Sequence, residues 1–143
     1  SAAHDERLAA EIGAAIARRA ESALAADDYP LAEKLYRAAL EQAPDDLWHK
    51  VALGELLESL GRDMEALLLY QEIVRIAPES PHSAEKLDAI CIRNALQEER
   101  LIFWQSVVDA HPNAETPRRH FYRALESNGA DRNSRPPEPG VVF

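Results

Sequence analysis

The chain has 143 residues, 46% of them apolar and 29% charged, with a net charge of −9. That is enough apolar length for a domain with its own core, so global disorder is excluded. The acidic balance argues against a general nucleic-acid binder, which needs a basic face to displace counterions. Glycine is scarce, Thr116 is the only threonine, and strand-forming runs are missing, whereas alanine, leucine, glutamate and arginine dominate. The composition predicts helices.

The first helix is expected to begin near Asp5, whose charge suits the positive end of a helix dipole, and to present Leu8, Ile12, Ile16, Ala20, Ala23 and Leu24 as its apolar stripe. Asp27-Asp28-Tyr29-Pro30 breaks that pattern. A second helix, facing Leu31, Ala32, Leu35, Ala38 and Ala39 inward, runs to Ala43-Pro44. A third spans about Leu47 to Leu60 on Leu53, Leu56, Leu57 and Leu60, and Gly61 closes it where a left-handed residue is needed. A fourth spans about Met64 to Ala77 and buries Ala66, Leu67, Tyr70, Ile73 and Val74. Ser80-Pro81 opens a fifth helix, with Leu87, Ile90, Cys91 and Asn94 on one face. The turn after it, Asn94 to Gln97, has no glycine, so its form stays open. Leu101, Trp104, Gln105 and Val108 mark the sixth helix, up to Pro112. Glu115-Thr116-Pro117 starts a seventh, with Phe121, Tyr122 and Leu125 turned inward and Asn128-Gly129 at its end.

The tail from Ala130 to Phe143 is proline-rich and expected to be extended. Val141-Val142-Phe143 either packs on the last helix or opens a further domain; the second is preferred. Ser1 in place of methionine reads as a trimmed start. No run approaches the length of a membrane span. Cys91 has no second cysteine to pair with and reads as a buried structural thiol.

Above these elements lies a register. Pro44, Pro78 and Pro112 are 34 residues apart. Tyr36, Tyr70 and Trp104 stand eight residues before them, and Leu40, Val74 and Val108 four before. An array of one repeated unit follows, and such arrays usually bind partners rather than convert substrates. The 34-residue helix-turn-helix unit is similar to the tetratricopeptide repeat over roughly Gly13 to Gly129. The likeness rests on Leu53-Gly54, Gly61, Ala66, Tyr70 and Pro78 in the second unit, and on Tyr29, Ala32, Tyr36, Ala39 and Pro44 in the first. Ala20 and Gly54 let two helices approach closely, the aromatic fills the gap between them, and the proline stops the helix. Several positions depart from the family pattern. Its usual tryptophan is replaced by Ile16, Lys50, Ala84 and Arg118, and a usual leucine by Arg19. Asp88 stands where glycine is common and Arg100 where alanine is common; Arg100 is expected to widen that contact or turn its head outward.

The resemblance implies an all-α, right-handed α-solenoid. It has units at about 13–46, 47–80 and 81–114, a half unit at 115–129 as cap, and a tail at 130–143. A plain helical bundle is the alternative fold. The resemblance further implies a concave face, lined by the first helix of each pair, that takes an extended peptide or a helix. Positions opposite the core stripe are Ala14, Ala17, Arg18 and Glu21; Trp48, Val51, Ala52 and Glu55; His82, Glu85, Lys86, Ala89 and Arg93; and Arg119, His120 and Arg123. Trp48 is either an exposed anchor or a staple over the Pro44 turn. Lys86, Arg93, Arg119 and Arg123 form a cationic ledge for carboxylates, or a solvated face paired with Glu85 and Asp88. Residues Arg118 to Arg135 carry +3 against −12 for the rest, which suits an acidic partner at that end. Some relatives grip a C-terminal carboxylate with a basic and asparagine clamp. The matching positions here carry Ala17, Glu21 and Ala52, with only Lys86 and nearby His82 in keeping, so that clamp is expected to be absent.

Catalysis finds little support. His4, His49, His82, His111 and His120 are scattered without metal spacing, and no nucleophile motif or phosphate loop is present. The expectation is a non-catalytic cytoplasmic interaction module, without cofactor or metal, binding protein rather than nucleic acid or membrane. The rival is an accessory domain of a larger enzyme, such as a transferase, whose catalytic part lies beyond residue 143. Self-association through the terminal helices, at Leu8 or Phe121, is a third possibility.

Overall fold

A computed structural model describes residues 1–128. They form seven helices: α1 Ala2–Ala25, α2 Tyr29–Gln42, α3 Leu47–Ser59, α4 Asp63–Ile76, α5 Pro81–Arg93, α6 Gln97–Ala110 and α7 Glu115–Ser127. No strand occurs among the described residues. The expected Pro-rich tail and the Val141-Val142-Phe143 segment lie outside them.

The 34-residue register recurs at the level of single hydrogen bonds. The amides of Ala43, Ala77 and His111 close α2, α4 and α6 on the carbonyls of Ala39, Ile73 and Val107, at 2.9, 2.8 and 2.8 Å. Pro44, Pro78 and Pro112 come directly after those closing residues and prevent continuation. Tyr36, Tyr70 and Trp104 are 3%, 0% and 0% exposed, so all three fill equivalent gaps. The turns inside the pairs repeat as well. Asp27, Gly61 and Ala95 have φ of 58°, 75° and 57°. The following amides, of Asp28, Arg62 and Leu96, reach back to Ala23, Leu57 and Cys91 at 2.9, 2.8 and 2.8 Å. Each is a Schellman closure with a left-handed residue, a conformation glycine adopts freely and alanine only at a cost. The glycine-free turn after α5 thus has the same form as its counterparts, with Ala95 bearing the strain.

The chain divides into two compact units, Ser1–Tyr70 and Gln71–Phe143. In the first, α1 packs on α2 and α2 on α3. Gly13 marks where α1 meets the end of α2: a Cβ there would stand 3.2 Å from the Ala39 carbonyl oxygen and 3.3 Å from Ala43 Cβ. The N-terminal half of α1 therefore runs past the end of its partner. That corrects the expected stripe in part: Ala20 and Ala23 are buried, together with Gly13 and Ala17, whereas Leu8, Ile12 and Leu24 are exposed. Leu31 and Leu60, also expected inside, are exposed. At Gly54 a Cβ would lie 3.0 Å from Tyr70 Cζ, so the glycine is what allows the tyrosine ring to lie against α3. Tyr70 then donates its hydroxyl to Glu58 at 2.7 Å. Asp28 and Asp46 cap α2 and α3 by accepting the amides of Leu31 and His49.

In the second unit α5 packs on α6 and α7, and α6 on α7. The inward face of α6 is Arg100, Phe103, Trp104 and Val107. Gln105, expected there, is exposed and donates to Asp109, and Asn94 caps α5 on the Ile90 carbonyl rather than joining the core. Arg100 does not turn outward: it is 6% exposed, and its Nε donates to Asp88 Oδ1 at 2.9 Å. The same oxygen accepts Trp104 Nε1 at 2.8 Å, the other accepts His120 Nδ1 at 2.5 Å, and Arg100 also donates to Ser127. His120 stacks on Trp104 with ring centroids 5.0 Å apart. The two family departures, Asp88 and Arg100, are therefore partners across one helix contact. Burial alone would raise the Asp88 carboxyl; the hydrogen bonds from His120, Arg100 and Trp104 outweigh it and hold the group below the usual carboxylate range.

Candidate functional site

Asp46 places the site. By capping α3 it starts that helix one residue before Leu47, so Trp48 and His49 fall in the first turn about 100° apart around the axis. His49 turns inward at 7% exposed, and Trp48 turns outward at 82% exposed. Trp48 therefore lies outside the core, and the staple reading is set aside.

Trp48 overhangs a cleft of about 620 Å³ within the first unit. Its lining comes from α1 (Glu21, Leu24), the start and middle of α2 (Tyr29, Tyr36) and α3 (Trp48, Val51, Ala52, Glu55, Leu56, Ser59). Four of the residues expected on the concave face, Glu21, Trp48, Val51 and Glu55, are thus brought together, with Ala52 beside them. Arg18, one turn earlier on α1, is exposed but does not line the cleft. Ala17, also expected to face out, is buried in the α1–α2 contact.

The floor is aromatic. Tyr36 is nearly buried, and its phenol is pushed up first by that burial and then by the charges of Glu21 and Glu55. Tyr29 stands at the margin and donates its hydroxyl to Asp27 at 3.2 Å. Sequence reasoning missed both tyrosines as site residues. Tyr36 fills the gap between helices, as its spacing predicts, and lines the cleft as well; the aromatic at the helix-turn junction is the sequence signal for Tyr29.

The basic positions of the second unit behave differently. His82 and Arg93 are exposed and Lys86 is half-buried. Arg123 donates to Glu85 at 3.2 Å, and Arg119 lies 3.8 Å from Glu115. These are exposed pairs with modest energies. His120 corrects the expectation most: it is fully buried in the Asp88 network, because α7 packs against both α5 and α6 and leaves that face no access. Among the described residues no group of three or more His, Cys, Asp or Glu could hold a metal ion. No helix among them is long and apolar enough to cross a membrane. Of the residues named for self-association, Leu8 is 47% exposed and Phe121 is half-buried.

No protein-family model matches the chain, and no curated protein matches it in sequence. Solved structures do match in fold. The tetratricopeptide-repeat domain of Arabidopsis OM64 superposes with a TM-score of 0.58 at 10% identity, covering 83% of this chain and 98% of that one. The Sgt2 tetratricopeptide-repeat domain from Aspergillus fumigatus superposes with a TM-score of 0.56 at 17% identity, covering 91% of this chain and 88% of that one. The all-helical fold is accordingly that of tetratricopeptide-repeat domains.

Proposed function

We propose that the chain is a non-catalytic interaction module that holds a segment of another protein against the exposed face of Trp48. The observation that carries this reading is the 82% exposure of a tryptophan above a cleft with a largely apolar and aromatic lining. Leaving such a ring in water forfeits burial that a partner would supply, and rigid aromatic anchors in pockets commonly dominate binding energy. Glu21, Val51 and Glu55 would set the register of the bound segment. In the second unit Arg93, Arg119 and Arg123, with Lys86, suit acidic groups of a partner. Burial pushes the Cys91 thiol up to about 11, which makes it an unreactive packing group; the compartment we propose is the cytoplasm.

The test is selection of displayed 12-residue peptides on the wild-type chain, followed by measurement of the enriched peptides on Trp48→Ala. At least a ten-fold loss of affinity is expected, with an unchanged helical melting curve. Equal affinity for the two proteins would remove the cleft from the binding site.

A further inference from the structure

The uncovered side of α1 is symmetric about its own middle. Ile12 is the centre. Leu8 stands four residues before it and Ile16 four after; Asp5 stands seven before and Arg19 seven after. At 3.6 residues per turn these five fall within about 40° of one direction around the axis, roughly a quarter-turn from the Gly13, Ala17 and Ala20 face that is buried. Asp5, Leu8, Ile12 and Arg19 are exposed and Ile16 is half-buried. The stripe is thus apolar in the middle, negative at one end and positive at the other. Neither the Asp5 carboxylate nor the Arg19 guanidinium has a hydrogen bond or ion pair among the described residues. In the second pair the places of Arg19 and Ser22 belong to Leu53 and Leu56, which are buried, so on α1 this face has exchanged apolar groups for polar ones.

We propose that this stripe binds its own copy: two chains pair their α1 helices antiparallel about a two-fold axis at Ile12. An isologous contact requires a self-complementary surface, and antiparallel pairing about Ile12 supplies one. Ile12 meets Ile12 of the partner, Leu8 meets the partner's Ile16, and Asp5 meets the partner's Arg19 at both ends. The apolar positions follow the three- and four-residue spacing of a helix-pair seam. Beside Arg19 a recess of about 370 Å³, lined also by Ser22, Ala23, Leu31 and Leu35, lies where the first turn of the partner's α1 would arrive. Glu21, which lines the Trp48 cleft, projects from the opposite side of α1, half a turn from Ile12, so the pairing leaves that cleft open. The proposal is independent of what the cleft holds.

The test is sedimentation equilibrium on the whole chain and on charge-reversal variants. A contact of this length is smaller than a standard interface, so a dissociation constant of about 10–100 µM is expected. Asp5→Arg and Arg19→Glu each set like charges against each other and should each weaken dimerisation about ten-fold or more. The double variant Asp5→Arg/Arg19→Glu restores opposite charges across the axis and should return the constant to within about three-fold of the wild type. Within one chain the two positions are about 21 Å apart along the helix, too far to compensate each other. Glu6→Arg, a like reversal one residue off the stripe, should stay within about three-fold, which separates the local pair from the overall charge. Ile12→Cys lies on the axis and should give a disulfide-linked dimer under oxidised glutathione, whereas Glu6→Cys should not. A chain that stays monomeric at about 1 mM overturns the proposal. So does a dimer that the double variant fails to restore, or one that Ile12→Cys fails to cross-link.

Discussion

The second and third helix pairs solve one packing problem with opposite chemistry. In the second pair Gly54 and Ala66 are small and the buried Tyr70 ring lies against Gly54. At the matching positions of the third pair stand Asp88 and Arg100, with Trp104 in place of the tyrosine, and all three are buried. A tyrosine ring laid against a bare glycine holds the one; a carboxylate accepting hydrogen bonds from Arg100, Trp104 and His120 holds the other. Asp88 Oδ1 serves two donors at once, and His120 of α7 ties the cap to the pair. A position that is small in one repeat can thus be charged in the next, provided its opposite number changes with it.

The largest test of that difference is Asp88→Ala. It strands a buried guanidinium, an indole N–H and an imidazole, and should cost about 3–5 kcal/mol in chemical denaturation. The cost should not be additive with Arg100→Ala, because the second change removes one of the groups the first leaves unpaired. In the second pair the corresponding insult is steric. Gly54→Ala would press a methyl group against the Tyr70 ring and should cost about 1–3 kcal/mol.

Acid sharpens the contrast. A carboxyl held below its unfolded value contributes stability that is complete above that value and is lost as pH falls through the folded one. Asp88 is so held, and its contribution should disappear as pH drops below about 4. Glu33, lowered first by the Arg62 hydrogen bond, adds a smaller part from the first unit. Asp88→Asn should therefore flatten the loss of melting temperature between pH 7 and pH 3 relative to the wild type.

The smallest effect concerns the turns. Ala95 and Gly61 occupy the same left-handed corner of their pairs. Ala95→Gly should stabilise by about 1 kcal/mol and Gly61→Ala should destabilise by a similar amount, as read from thermal melts. A destabilising Ala95→Gly, or a stabilising Gly61→Ala, would show that the two corners differ in solution.

The register made much of this architecture legible before any coordinates. Prolines, gap-filling aromatics and closing turns all repeat at one spacing, and local hydrogen bonds enforce it. What escaped was pairing across helices. Asp88 and Arg100 each read as a departure from the repeat because spacing along the chain does not show which residues meet across helices. The signal was that two departures of opposite charge occupied the positions that are both small in the preceding unit, Gly54 and Ala66. The opposite-face rule found Glu21, Trp48, Val51 and Glu55 because the outer faces of α1 and α3 remain open there. It failed at Ala17 and His120, which sit where a helix is covered on more than one side. The start of the α1 stripe misled for the converse reason, since no helix among the described residues covers Leu8 and Ile12.

The most direct test of the account uses the two tryptophans, one outside and one inside. Each gives one indole N–H signal in a proton–nitrogen correlation spectrum. During titration with a display-selected peptide, the signal of Trp48 should move while that of Trp104, buried and bonded to Asp88, stays in place. A saturating peptide that leaves the Trp48 signal still would contradict the account.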